Sequence, residues 1–175
     1  LGCLEGHHSD LLCSLGFKEV VSVDMSDKHI ARADFLLREF RGYENSTVIK
    51  GNVLDEHLMR SLGKFEIIVF HGLLYHLHSP DLMFRVIDSL FNPNEDNFLL
   101  LSHQYHMQYQ LMVSQYPTAE ISIRDFPKND QGRYEDPGNE SMYHSVAIIL
   151  NAKALYKILK SHGYIELIGY NTPYG

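Results

Sequence analysis

Leu1-Gly2-Cys3-Leu4-Glu5-Gly6-His7-His8-Ser9 opens the chain, and Val20-Val21-Ser22-Val23-Asp24 follows it. Gly2 and Gly6 carry no Cβ, so the backbone between them can turn sharply, approach a ligand closely and start a helix. His7 to Leu15 reads as that helix, ended by Gly16 at a position suited to the left-handed conformation. Val20 to Asp24 is a buried strand whose last residue is acidic. Strand end, glycine turn, helix and strand in this order predict an α/β unit.

The alternation continues. Ser26 is a good N-cap with Asp27 in the first turn, and Ile30, Ala33, Leu37 and Phe40 form an apolar stripe at helical spacing. Thr47 to Lys50 reads as a strand, the loop Gly51-Asn52-Val53-Leu54-Asp55 follows, and a short helix spans Glu56 to Ser61. Phe65 to Phe70 is almost wholly apolar and reads as a central strand. Ser79-Pro80-Asp81 starts a helix that presents Leu82, Val86, Ile87 and Leu90 to the core and stops at Asn92-Pro93. Asn97 to Ser102 is a further strand, Asn151 caps a helix to His162, and Ile165 to Tyr170 is a last strand. The expected fold is a Rossmann-like, mostly parallel sheet with helices on both faces, a three-layer αβα sandwich.

Between His103 and His144 the pattern loosens, with a weak helical stretch near Tyr109 to Tyr116. A segment this long inside one domain is expected to be a lid or binding element. It carries Tyr105, Tyr109, Tyr116, Tyr134 and Tyr143, with Arg124 and Arg133, and as a substrate cap it would select an aromatic or anionic acceptor. Packing of the same aromatics on the sheet edge is the plainer alternative.

At 175 residues, with 45% apolar and 21% charged residues, the chain is expected to form one domain over 1–175, with 103–144 as its insert. The net charge of −7 and the absence of a Lys/Arg block disfavour a nonspecific phosphate-backbone binder. Cys3 and Cys13 read as reduced thiols of a cytoplasmic protein. No run of about 20 apolar residues suggests a membrane span, and no leader is visible. The chain opens on the last residues of a central strand and stops before the antiparallel strand that normally completes such a sheet. It is therefore expected to be a fragment, truncated at the first strand and before the seventh.

Asp24 stands where a carboxylate can accept hydrogen bonds from both hydroxyls of a ribose, which points to an adenosyl ligand. The glycine spacing lacks the G-x-G-x-x-G pattern of a dinucleotide-binding oxidoreductase. Four blocks together resemble class I S-adenosylmethionine-dependent methyltransferases over essentially the whole chain: the turn at residues 1–6, the strand at 20–24, the loop at 51–55, and Phe65-Glu66-Ile67-Ile68-Val69-Phe70-His71-Gly72-Leu73-Leu74-Tyr75-His76. The resemblance implies S-adenosyl-L-methionine as cofactor. Gly2, Cys3, Leu4 and Gly6 would line its methionine end, with Glu5 in the same turn. Asp24 would take the ribose, Met25 and Val53 would pack against adenine, and Asn52 would meet its amino group. His71 and Gly72 would pass the sulfonium. Leu4 replaces the family's middle glycine and narrows the turn. Asn52 replaces an aspartate, yet an amide both accepts and donates.

Methyl transfer from a sulfonium needs positioning and desolvation, with a base only where the nucleophile carries a tightly held proton. His103 and then His71 are the candidate bases, on loops at the carboxyl ends of strands. Tyr75, His76, Tyr105, His106 and Arg124 are the candidate acceptor contacts. No metal is expected: His71, His76, His78, His103 and His106 have no Cys partner or paired carboxylate. The resemblance thus implies transfer to O, N or C of a small-molecule acceptor by a monomer or homodimer. Two alternatives stay open. Leu74-Tyr75-His76 before Ser79-Pro80 is also similar to tRNA wobble-uridine carboxymethylating enzymes, and Leu4 with Asn52 would suit an inactive binding domain.

Overall fold

The computed structural model describes residues 1–74, 77, 81–93, 95–102 and 155–164, and the backbone alone of 80, 121–125, 146–150 and 152–154. The chain divides into two compact units, Leu1–His71 with Val86–Leu100, and Gly72–Arg85 with Leu101–Gly175. The first carries the motifs at 1–6, 20–24 and 51–55.

In that unit α1 spans His7–Ser14, β1 Val20–Asp24, α2 Asp27–Asp34, β2 Ser46–Lys50, α3 Glu56–Ser61 and β3 Ile67–His71. Strands β1 and β2 are parallel, with Val20 opposite Ser46 and Asp24 opposite Lys50. The Gly51 N–H donates to the Asp24 carbonyl at 2.9 Å, so Asn52 follows directly beside the end of β1. The opening residues lie between β1 and β3. Leu1 N donates to the Val69 carbonyl at 2.7 Å, while the Gly2 and Cys3 N–H groups reach the Val23 carbonyl at 2.8 and 3.1 Å. Leu1 and Gly2 are thus hydrogen-bonded to both β3 and β1 without belonging to an assigned strand.

The core of this unit is built from Val20, Val23, Ala33, Leu37, Met59, Ile68, Phe70, Val86, Ile87 and Leu90, all buried. Fully burying side chains of this size contributes about 1.5–3 kcal/mol each. The alternation in β3 puts Ile68 and Phe70 inside. Ser9 and Ser22 are buried polar groups that satisfy each other, oxygen to oxygen at 2.7 Å.

Helix α4 runs Pro80–Leu90 and β4 Phe98–Ser102, and β3 and β4 are neighbours. The Phe98 N–H donates to the Glu66 carbonyl at 2.8 Å. In the second unit β5, Ile121–Asp125, pairs antiparallel with β6, Val146–Leu150, Ile121 facing Leu150 and Asp125 facing Val146. Helix α5, Ala152–Ser161, follows, and His162 Nε2 lies 3.4 Å from Asp81. No helix among the described residues is long and apolar enough to cross a membrane.

Two elements differ from the sequence expectation. The helix opened by Ser26 changes after Asp34 into a π-helical segment, Phe35–Phe40. The wider turn rotates the stripe, so Ala33 and Leu37 stay buried while Phe40 is 67% exposed. Strands β5 and β6 were not expected. Their pairing is nonlocal, and the polar residues around them hide the pattern. The expected helix near Tyr109 to Tyr116, the strand Ile165 to Tyr170 and the cap Asn151 lie outside the described residues.

Candidate active site

The turn at Cys3 to Gly6 is closed by the Gly6 N–H on the Cys3 carbonyl at 2.9 Å. Across Gly2–Gly6 three positions have positive φ: Gly2 at 65°, Leu4 at 48° and Gly6 at 87°. Gly6 is required twice over. It occupies the left-handed N-cap position of α1, and a Cβ there would stand 3.1 Å from the Ala33 Cβ and 3.2 Å from the Ala33 Cα. Its absence lets α2 cross close under the turn. No side chain caps α1, so its first amides face outward unclaimed by a capping oxygen.

Leu4 keeps the left-handed position that a middle glycine would take, with its side chain half exposed and its N–H donating to Asp24 Oδ2 at 3.0 Å. Asp24 is buried to 7% exposure, and its Oδ1 accepts from the Ser26 N–H at 2.9 Å and from His29 Nδ1 at 3.3 Å. The turn and the end of β1 are therefore joined through one carboxylate. Met25 beside it is exposed.

Asn52 is exposed, and its Oδ1 accepts from the Leu54 N–H at 2.9 Å. That bond orients the amide and leaves the NH₂ as its free donor. Val53 is buried, so its side chain belongs to the core. A Cβ at Gly51 would meet the terminal Cδ2 of Leu58, which would have to shift.

Glu5 pairs with Arg32 of α2 and lies 3.8 Å from His7 Nε2, so its carboxylate is engaged along the rim of the turn. Cys3 is a free thiol, and burial, with the Asp24 charge second, pushes its pKa up to about 11. His71 ends β3, exposed, with its ring 4.7 Å from that of His8 on α1. Desolvation lowers the pKa of His8, and repulsion from His71 adds to it. His8 and His29 are thus two neighbours of the candidate residues that motif spacing does not pick out.

A cavity of about 100 Å³ lies between β1 and β3, running from Phe17 and Phe65 to His8 and His71. It is lined by Gly2 and Cys3 of the turn, by His8, Ser9 and Leu12 of α1, and by residues of β1 and β3. Asp24, Met25 and Asn52 are not among its lining residues.

Gly72 has φ 65° and donates its N–H to Ser102 Oγ at 3.0 Å in the second unit. Tyr75, His76, His103, Tyr105 and His106 lie outside the described residues, as do His78, Arg133, Tyr134 and Tyr143. Arg124 is described by its backbone alone, in β5 opposite Ala147.

The sequence matches the family model of a methyltransferase domain over residues 1–162. A search of the curated proteins finds no match. The fold is similar to that of the N-terminal domain of EvdMO1, crystallised with SAH bound, at TM-score 0.64 and 18% identity; 94% of this chain covers 63% of that one. It is also similar to the PH0226 protein of Pyrococcus horikoshii OT3, at TM-score 0.57 and 19% identity, over 91% of this chain and 69% of that one. A putative methyltransferase of Bacillus halodurans C-125 gives TM-score 0.57 at 13% identity, over 93% and 59% of the two chains. At these identities the likeness is one of fold. The chain spans less than two thirds of the EvdMO1 domain.

Proposed function

Since the chain belongs to the methyltransferase-domain family, we propose that it binds S-adenosylmethionine along the turn at Gly2–Gly6, Asp24 and Asn52, and transfers its methyl group to O, N or C of a small-molecule acceptor. The observation that carries this reading is the Asp24 carboxylate, joined to the Leu4 N–H at 3.0 Å at the open end of β1, with Met25 exposed beside it.

The residues suit the group. An ionised carboxylate has about four acceptor positions, and three are taken by Leu4, Ser26 and His29. One position on Oδ2 stays open to a ribose hydroxyl. The exposed flank of Met25 offers an apolar surface to adenine, and the Asn52 amide keeps its donors for a ring nitrogen. The uncapped start of α1 offers amides and a positive dipole end to the carboxylate of a methionine moiety.

S-adenosylmethionine supplies an electrophilic methyl group on a sulfonium that leaves readily. The chain has to hold the acceptor in line and exclude water. His71 is the candidate base among the described residues, and an imidazole suits proton removal near neutral pH. His103 remains the other candidate, by sequence alone. The net charge of −7 favours a small acceptor over a polyanionic one.

Calorimetric titration with S-adenosylhomocysteine, with NAD alongside, tests the reading. Saturable binding of the former and none of the latter is expected. No binding of S-adenosylhomocysteine at millimolar concentration would sink it.

A further inference from the structure

Asp24 is held by more than the backbone. Oδ1 takes two donors, the Ser26 N–H at 2.9 Å and His29 Nδ1 at 3.3 Å, and Oδ2 takes the Leu4 N–H at 3.0 Å. Each carboxylate oxygen has two lone pairs. Oδ1 is therefore filled and Oδ2 has one position left. Among the described residues His29 is the one side chain hydrogen-bonded to this carboxylate. Its side chain is 19% exposed and that of Asp24 8%.

The placement of His29 follows from the start of α2. Ser26 caps that helix by accepting the His29 N–H at 3.4 Å. The first turn then carries the imidazole back over the end of β1. A capped helix has no need of an imidazole here, and an apolar side chain would cover the same surface. The contact requires a proton on Nδ1, which both that neutral tautomer and the imidazolium carry.

We propose that His29 is a positioning residue for cofactor binding: through Nδ1 it fills the second acceptor position of Asp24 Oδ1 and leaves Oδ2 as the oxygen that meets the ribose. This rests on the cofactor reading above. A carboxylate fixed at one oxygen presents the other at a set angle, so a ribose hydroxyl bonds to it without reordering the group. Without His29, the Ser26 N–H on Oδ1 and the Leu4 N–H on Oδ2 still hold the carboxylate, but Oδ1 gains an open acceptor position and the ribose hydroxyl no longer meets a single defined one. Recognition of the ribose then weakens while contacts to adenine and to the methionine end persist.

The test compares S-adenosylhomocysteine with its 2′-deoxy and 3′-deoxy ribose analogues, titrated against the whole chain and against His29→Ala and His29→Asn, with thermal unfolding recorded for each. A hydrogen bond to a charged group corresponds to roughly a tenfold difference in Kd or more. One of the deoxy analogues is therefore expected to bind the unaltered chain about tenfold more weakly. In His29→Ala the affinity for S-adenosylhomocysteine is expected to fall about tenfold and that for this analogue less than about threefold, so the discrimination contracts. His29→Asn, whose amide nitrogen stands near the place of Nδ1, is expected to restore most of it.

Equal losses for all three ligands would make His29 a packing residue and overturn the inference. So would unchanged affinities, or an Asn variant no better than Ala. Tighter binding by His29→Ala would overturn it differently, by making the imidazole a competitor for the ribose position. Failure of the unaltered chain to bind S-adenosylhomocysteine sinks the cofactor reading, and this one with it.

Discussion

Leu4 sits at φ 48°, in a region where an L side chain crowds its own carbonyl at a cost of roughly 1–2 kcal/mol. It stays there because its N–H is held by Asp24 and the turn around it is closed by Cys3 and Gly6. Leu4→Gly removes the strain, and the extra freedom of glycine in the unfolded chain offsets part of the gain. A rise in stability of about 0.5–1 kcal/mol is expected, read as a higher denaturant midpoint at unchanged slope. A drop would mean that the exposed leucine side chain contributes packing of its own. One residue earlier, Cys3 is a poor nucleophile. With its pKa pushed to about 11, only about one thiol in a thousand is ionised at pH 8, against roughly a quarter for a free thiol near 8.5. Alkylation of Cys3 by iodoacetamide at pH 8 is expected to run roughly a hundredfold slower than that of a free cysteine. Peptide mass mapping after timed quenching measures it, and a rate near that of the free thiol would contradict the assigned environment.

Local chemistry decides some elements and tertiary contact decides others. Helix α3 starts where Asp55 accepts from the N–H groups of His57 and Leu58 at 3.0 and 3.1 Å. Replacing such a cap with alanine costs about 1 kcal/mol, and asparagine preserves it. Asp55→Ala is expected to lose about that much stability and Asp55→Asn much less, which paired denaturant titrations resolve. Equal losses would place the effect in the charge of Asp55. Signals of this local kind made α1 and α4 legible, Gly16 closing one helix and Pro80 starting the other, while α3 is legible from its span Glu56 to Ser61 without its Asp55 cap. The π-helical segment at Phe35–Phe40 escaped because the residue pattern permits a regular helix. Strands β5 and β6 escaped because neither is amphipathic enough to declare itself without its partner. Ile121 and Leu150 face each other only after the intervening chain has brought them together.

Across the whole molecule the candidate site divides the same way. Gly2, Gly6, Asp24 and Asn52 were legible because their work depends on the order of strand, turn and loop. His8 and His29 were not, because each matters through a neighbour that folding supplies, the His71 ring for one and the Asp24 carboxylate for the other. The His8–His71 contact also bears on the stability of the whole fold. Desolvation first, and His71 second, lower the His8 pKa in the folded chain below its unfolded value of about 6.5. Between the lowered value and about 6.5 the unfolded chain binds more protons than the folded one, so stability rises with pH through that window. Read downward, stability is intact above about pH 6.5 and is lost as pH falls toward the folded pKa, with a slope of at most about 1.4 kcal/mol per pH unit for one proton. His8→Gln removes the titrating group, and the difference between the two unfolding free energies, measured from pH 8 to pH 5, reports the contribution of His8 together with its coupling to His71. The unaltered chain is expected to lose stability relative to His8→Gln as the pH drops through this window. Parallel curves would mean that His8 titrates alike in both states and that folding does not desolvate its ring.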